Sequence, residues 1–112
     1  MNPQFRYRIV SDSMDPLLKV GDEVVWEKIE QPFEELKRFD LLLFQQNQNL
    51  YCHFLWQVKP KHKIFVTRSY RYLWHEDLPL TQEKIIGRVT NHHFSFWQKI
   101  RVILFFLKRG HS

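Results

Sequence analysis

The chain has 112 residues, of which 44% are hydrophobic and 26% are charged, a composition that excludes a disordered polymer and suits a single domain. Its net charge of +5 admits anionic partners, but no nucleic-acid recognition motif is present, so nucleic acid is not an expected partner. The single cysteine, Cys52, excludes an internal disulfide. Aromatic residues make up 16% of the chain and alanine is absent, which favours β structure.

Alternating apolar and polar residues predict six strands separated by turns. We expect these strands at residues 5–10, 23–28, 40–45, 50–58, 64–68 and 84–90. The tract around Pro32 has room for one helical turn, and residues 69–83 form a loop. No segment of helical period interrupts the strands, so the predicted fold is mainly β, an antiparallel domain over residues 1–91.

Residues 92–112 are predicted to form a second unit, an amphipathic basic helix. Apolar residues from Phe96 to Leu107 recur at helical spacing among Lys and Arg residues, and Gly110 is a stop signal. Two roles stay open for this helix. Either the segment from Phe96 to Arg109 packs on the sheet, or the same segment lies on an anionic membrane surface.

No membrane-crossing or secretory segment is predicted. The first residues lack the apolar run of a signal peptide, and no stretch reaches the roughly 20 apolar residues of a transmembrane helix. These features predict a cytoplasmic location or peripheral attachment to a membrane. The adjacent His92 and His93 would point to opposite faces of a strand, and no histidine spacing resembles a zinc site, so we expect no metal and no cofactor.

The predicted strand 50–58 carries a histidine on one face and a cysteine on the other. With the period of two that strands have, one face is a predicted core stripe. It consists of Leu50, Cys52, Phe54, Trp56 and Val58. His53 lies on the opposite, more polar face, where a cleft is expected. Cys52 is therefore predicted to be a small core residue and not a nucleophile.

The run Ser11-Asp-Ser-Met-Asp-Pro-Leu-Leu-Lys-Val-Gly-Asp22 resembles the Ser-Gly-Ser-Met-x-Pro-Thr-Leu-x-x-Gly-Asp box of type I signal peptidases. Their superfamily also contains the LexA-type self-cleaving repressors. Residues 39–44, 66–68 and 85–89 are similar to later landmarks of the family, in the same order. Tyr51-Cys-His53-Phe resembles the Val-His-Arg strand of the archaeal and endoplasmic-reticulum branch, in which His replaces the bacterial Lys.

The resemblance implies a signal-peptidase-like β-fold and a serine endopeptidase that cleaves a signal or leader peptide. Ser13 would be the nucleophile and His53 the general base. An acidic residue of the 69–83 loop, Asp77 or Glu76, would orient His53, and the sequence leaves both open. The backbone N–H of Ser13 and the hydroxyl of Ser11 would stabilise the oxyanion.

Two further residues of the box receive roles from the same resemblance. Met14 would line a pocket for small substrate side chains, and Pro16 would stiffen the loop at the substrate site. Four residues depart from the family pattern. Phe39 stands in place of Gly, Phe54 in place of Arg, and the pair Ser69-Tyr70 in place of Gly-Asp.

Two alternative functions follow from the same superfamily. A self-cleaving repressor needs an Ala-Gly or Cys-Gly bond, and neither occurs in the chain. A catalytically weak or inactive peptide-binding module stays open, because the Gly-Asp turn that precedes the acidic residues is replaced.

Overall fold

The computed structural model describes residues 3–109. The strands are β1 (Gln4–Arg8), β2 (Glu23–Glu27), β3 (Leu41–Gln46), β4 (Asn49–Lys59), β5 (Ile64–Arg68) and β6 (Ile85–Val89). They form one antiparallel sheet in the order β1-β2-β6-β3-β4-β5. Two helices, α1 (Pro32–Glu35) and α2 (Phe96–Lys108), accompany the sheet. The predicted antiparallel β-fold with a C-terminal helix is confirmed.

The β1–β2 connection begins earlier than predicted. β1 ends at Arg8, and Val10 is exposed instead of continuing the strand. The backbone of Ile9 closes the base of the loop, because its N–H donates to the carbonyl of Asp22 and its own carbonyl accepts from the N–H of Gly21. The loop that carries the predicted nucleophile is thus tied at both ends.

A two-residue turn sets the register between β3 and β4. Asn47 and Gln48 both adopt left-handed backbone conformations, with φ of 52° and 68°, as the favoured hairpin turns require. The resulting register pairs Leu42 with His53 and Leu43 with Cys52. His53 therefore lies in the middle of β4, beside the four buried residues 41–44 of β3.

The sheet carries a hydrophobic core on each face. The first core contains Met14, Leu18, Cys52, Phe54 and Trp56. The second core contains Leu36, Leu42, Phe44, Leu55, Phe65 and Leu80. The face that carries His53 has the smaller core, to which α1 and the residues after β5 contribute apolar side chains, and it also holds the buried polar side chains of His53 and Thr67.

The predicted core stripe of β4 is correct only in its middle. Cys52, Phe54 and Trp56 belong to the first core, whereas Leu50 is 41% exposed at the start of the strand. Val58 packs against the second core instead. The pairing of β4 with β5 shifts register between Leu55 and Gln57, and such a bulge reverses the alternation of side chains beyond it.

Phe39 has the left-handed backbone conformation that the family's glycine would adopt freely. Its φ is 76°, which costs a residue with a Cβ about 1–2 kcal/mol. Two contacts offset this cost: the N–H of Phe39 donates to the carbonyl of Leu55 at 2.7 Å, and its ring packs 5.1 Å from that of Phe94. The turn before β3 is thus retained without glycine.

The C-terminal helix α2 packs on the first core. Ser95 caps it through a reciprocal capping box with Gln98, which satisfies two of its free N-terminal donors. Val102 and Phe106 are buried in the first core, so the core continues across the predicted boundary at residue 91. The predicted stop at Gly110 lies outside the described residues. Within residues 3–109, no helix has both the length and the hydropathy needed to cross a bilayer.

We predict that Phe106→Ala lowers the free energy of unfolding by about 3–5 kcal/mol, because it leaves a cavity under Trp56, whose ring is stacked 4.4 Å away. Leu107→Ala is the matched control. Its side chain is 65% exposed, so the change should stay within about 0.5 kcal/mol. Urea denaturation followed by circular dichroism measures both, and equal losses would contradict this packing of α2.

Candidate active site

Two loops from opposite edges of the sheet meet at the predicted site. One joins β1 to β2, and the other, residues 69–84, follows β5. The N–H of Arg71 donates to the carbonyl of Ser13 at 2.9 Å, and the N–H of Tyr70 donates to the Sδ of Met14 at 3.2 Å. An ion pair between Arg71 and Asp12 adds a third link, at 3.1 Å. These contacts join the loop beside edge strand β1 to the loop beside edge strand β5.

Ser13, His53 and Asp77 form a continuous line of hydrogen bonds. The Nε2 of His53 lies 3.1 Å from the Oγ of Ser13, and its Nδ1 lies 2.6 Å from the Oδ2 of Asp77. The side chains of His53 and Asp77 are only 10% and 8% exposed. The three residues come from β4 and from the two loops. The fold therefore brings His53 within hydrogen-bonding distance of Asp77, 24 residues away in the sequence, and of Ser13, 40 residues away.

The direction of each hydrogen bond follows from the chemistry of the groups. An ionised carboxylate only accepts, so the Nδ1–H of His53 donates to Asp77. The neutral ring then has its lone pair on Nε2, which accepts from the hydroxyl of Ser13. This is the tautomer that a general base acting on Ser13 needs.

The residues predicted to form the oxyanion site also lie together. The hydroxyl of Ser11 is 3.1 Å from the Oγ of Ser13, and it donates to that oxygen once the Ser13 proton points at His53. Within residues 3–109, the backbone N–H of Ser13 donates to no protein acceptor. The N–H of Ser13 is therefore free to bind a substrate oxygen, whereas the hydroxyl of Ser11 does so only after it turns its proton away from Ser13.

The structure separates the two acidic candidates. Asp77 reaches His53, whereas Glu76 is exposed and takes no part in the hydrogen-bonded line. Thr67, which sequence reasoning missed, is fully buried, and its hydroxyl donates to the Oδ2 of Asp77 at 2.8 Å. The alternation of side chains in β5 indicates this role for Thr67. Thr67 pairs with Leu55, and Leu55 lies two residues from His53 on the same face of β4, so Thr67 faces the same side of the sheet as His53.

Arg68, also missed, fixes the loop that carries Asp77. The buried guanidinium donates to the carbonyls of Leu73 and His75 at 3.3 and 3.1 Å. Its carbon lies 5.1 Å from the ring centroid of Phe106 on α2, which provides a cation–π contact. The loop is thus held from within by an arginine that also contacts the C-terminal helix.

The replaced Gly-Asp turn makes a second contact with α2. Tyr70, at the position of the family's Asp, is buried with its ring 5.5 Å from that of Phe94. Arg101 of α2 lies over this ring at 4.7 Å and donates to the Tyr70 carbonyl at 3.2 Å. The departure from the family pattern therefore keeps the loop ordered by packing it against the helix.

Met14 and Pro16 differ in their relation to the site. Met14 is 1% exposed and lines a small pocket beside Ser13, with a volume of about 20 Å³. The other lining residues are Tyr7, Ile9, Val10, Ser11, Leu50, Tyr51 and Cys52. Pro16, which follows a cis peptide bond, is exposed and lines neither this pocket nor the cleft over His53.

An open cleft of about 350 Å³ gives access to Ser13 and His53. Its other lining residues are Ser11, Tyr51, Ser69, Tyr72, Trp74 and His75. Asp77 is absent from the lining and lies behind His53, as an orienting acid does. The cleft combines apolar ring surfaces with a polar floor, which suits an extended peptide.

Asp77, His53 and Ser13, joined by hydrogen bonds beside an open cleft, have the arrangement of a Ser-His-Asp triad. The family model described as "Signal peptidase, peptidase S26" matches residues 4–89, and the chain belongs to this family. The match includes all six strands, Ser13, His53 and Asp77, and it ends before α2. No curated protein gives a significant match.

We predict that Cys52 does not react with iodoacetamide in the native protein. Burial raises the pKa of its thiol to about 12, so the reactive thiolate is scarce at neutral pH, and the residue is only 8% exposed in the first core. Mass spectrometry should detect full labelling in urea and almost none in buffer over the same time. Equal labelling in both would show that Cys52 is accessible.

Proposed function

We propose that this protein is a serine endopeptidase that cleaves a signal or leader peptide, with Ser13 as nucleophile, His53 as base and Asp77 as orienting acid. The observation that carries the proposal is the hydrogen-bonded line from Asp77 through His53 to Ser13, open to solvent only at the serine end. Membership of the signal peptidase family supports the substrate class. A histidine base corresponds to the archaeal and endoplasmic-reticulum branch.

The proposed reaction follows the usual order of acyl transfer. The Nε2 of His53 takes the proton of Ser13 as the Oγ attacks the scissile carbonyl. The N–H of Ser13 and the hydroxyl of Ser11 donate to the resulting oxyanion. His53 then gives its proton to the leaving amine, and the C–N bond breaks to leave an acyl-enzyme. A water molecule, deprotonated by His53, hydrolyses this ester and regenerates Ser13.

The small pocket beside Ser13 supports a restricted specificity. Its volume of about 20 Å³ is far below the 350 Å³ of the neighbouring cleft, so it limits the substrate to a small side chain at this position. A substrate with Ala or Gly before the scissile bond fits this limit. The buried Met14 closes the floor of the pocket, because its sulfur is held by Tyr70.

We predict that Ser13→Ala and His53→Ala each reduce turnover by at least about 10⁴-fold, because each removes a group that takes part in bond formation or proton transfer. The assay uses internally quenched leader-like peptides with Ala before the scissile bond. Ser11→Ala should have a smaller effect and reduce turnover by about 10²- to 10³-fold, which is the effect of removing one oxyanion donor.

Thermal unfolding of the same variants is the control for folding. Undiminished turnover in Ser13→Ala would refute the proposed nucleophile. If the wild-type protein binds these peptides in fluorescence anisotropy but never cleaves them, the alternative of a peptide-binding module is correct instead.

We predict that Asp77→Asn lowers kcat by about 10⁴-fold while Glu76→Gln leaves it unchanged. An amide at position 77 allows the His53 ring to take the other tautomer, whose Nε2 carries a proton and no longer accepts from Ser13. The two substitutions remove one carboxylate each from adjacent positions, so they control for net charge. Equal effects would contradict the assignment of Asp77.

A further inference from the structure

The outward face of α2 carries apolar side chains that nothing in the described structure covers. Phe96, Trp97, Leu104 and Leu107 are 66%, 75%, 50% and 65% exposed. With 3.6 residues per turn, these four and Ile100 lie along one stripe that occupies roughly a third of the helix circumference. We call these five residues the outer stripe of α2.

The outer stripe lies away from the face that packs on the sheet. Val102 and Phe106, on the opposite side of the helix, are 0% and 2% exposed in the first core. A surface helix normally has one apolar face and one polar face. α2 has two apolar faces, and the sheet occupies only one of them.

The charges on this segment are all of one sign. Residues 94–109 contain Lys99, Arg101, Lys108 and Arg109, and they contain neither Asp nor Glu. By their helical positions, Lys108 follows one edge of the outer stripe and Lys99 follows the other, and Arg101, next to Lys108, is held by Tyr70. Long basic side chains beside an apolar stripe reach lipid headgroups while their methylene stems stay in the apolar layer.

A second copy of the chain is a poor occupant of this face. Two outer stripes packed together would bring two groups of three positive charges (Lys99, Arg101 and Lys108) close, with no acidic residue of either segment between them. An anionic lipid surface supplies the opposite charge and accepts Trp, Phe and Leu side chains at its boundary. Charge therefore favours a lipid surface over self-association.

We propose that α2 is an interfacial helix that docks the protein on anionic membranes, with its axis in the plane of the surface and its outer stripe in the headgroup layer. The docking is independent of catalysis and goes beyond the proposed function. It concerns a helix that lies outside the match to the family. The same proposal gives the protein a peripheral location on the membrane.

Docking would also fix the position of the peptide cleft. A groove beside the outer stripe is lined by Leu73 together with Trp97 and Leu104. The neighbours of Leu73 in the chain, Tyr72 and Trp74, line the cleft over Ser13. The segment that separates groove from cleft is only a few residues wide, so a docked helix holds the cleft close to the lipid surface.

The test measures sedimentation of the full chain with two kinds of vesicle. One contains phosphatidylcholine and phosphatidylglycerol in equal parts, and the other contains phosphatidylcholine alone. The triple variant Trp97→Gln, Leu104→Gln, Leu107→Gln should bind the anionic vesicles at least about tenfold more weakly than the wild type, because transfer of apolar surface drives the docking. Val20→Gln, another change at an exposed apolar position (61% exposed), should bind as the wild type does.

A second variant, which removes charge instead of apolar surface, tests the proposal independently if the triple variant folds poorly. Lys99→Gln, Lys108→Gln should weaken binding to anionic vesicles and leave the weak binding to neutral vesicles unchanged, and added salt should weaken wild-type binding. Wild-type binding in the Ser13→Ala background separates this proposal from the proposed catalysis. The proposal is wrong if the wild type sediments with neither vesicle, if the folded triple variant binds as the wild type does, or if the stripe drives only a concentration-dependent dimer.

Discussion

The carboxylate of Asp77 is the group on which the site depends. A buried charge is stable only when hydrogen bonds replace the water it has lost. Here one oxygen accepts from both Thr67 and His53, at 2.8 and 2.6 Å. Thr67 is at the end of β5 and His53 in the middle of β4, so the β4–β5 register must be correct before Asp77 can be satisfied. The sheet and the site are therefore stabilised by the same pairing.

The acidic loop is supported by contacts with α2. Where the family has a Gly-Asp turn, the loop has Tyr70, which lies under Arg101 of α2. Arg68 holds two carbonyls of the loop and lies against Phe106 of the same helix. These contacts make α2 a support for the loop that presents Asp77. The loss of the turn is thus compensated by a helix outside the matched region, which is why the turn alone is a weak argument for an inactive site.

The sequence predicted those parts of the fold that depend on local pattern. The strand at Ile64–Arg68 and the separation of Cys52 from His53 follow from alternation alone. The side chain of Val58 was misplaced, because a bulge depends on how β5 pairs with β4. Glu76 and Asp77 are adjacent residues of an irregular loop, and only its backbone conformation decides which one faces His53. That conformation is set by distant groups, Arg68 among them, which no local pattern contains.

The two apolar faces of α2 have separate energetic roles. Val102 and Phe106 pack the helix on the first core, and the outer stripe takes no part in this packing. Exposed Trp and Leu side chains carry a risk of aggregation that a helix without a partner would avoid by having polar residues there. Because the inward face also supports the Asp77 loop, a surface bound by the outward face would be connected to the site through a single rigid helix. Docking and support of the site can then coexist without any change in the packing of the core.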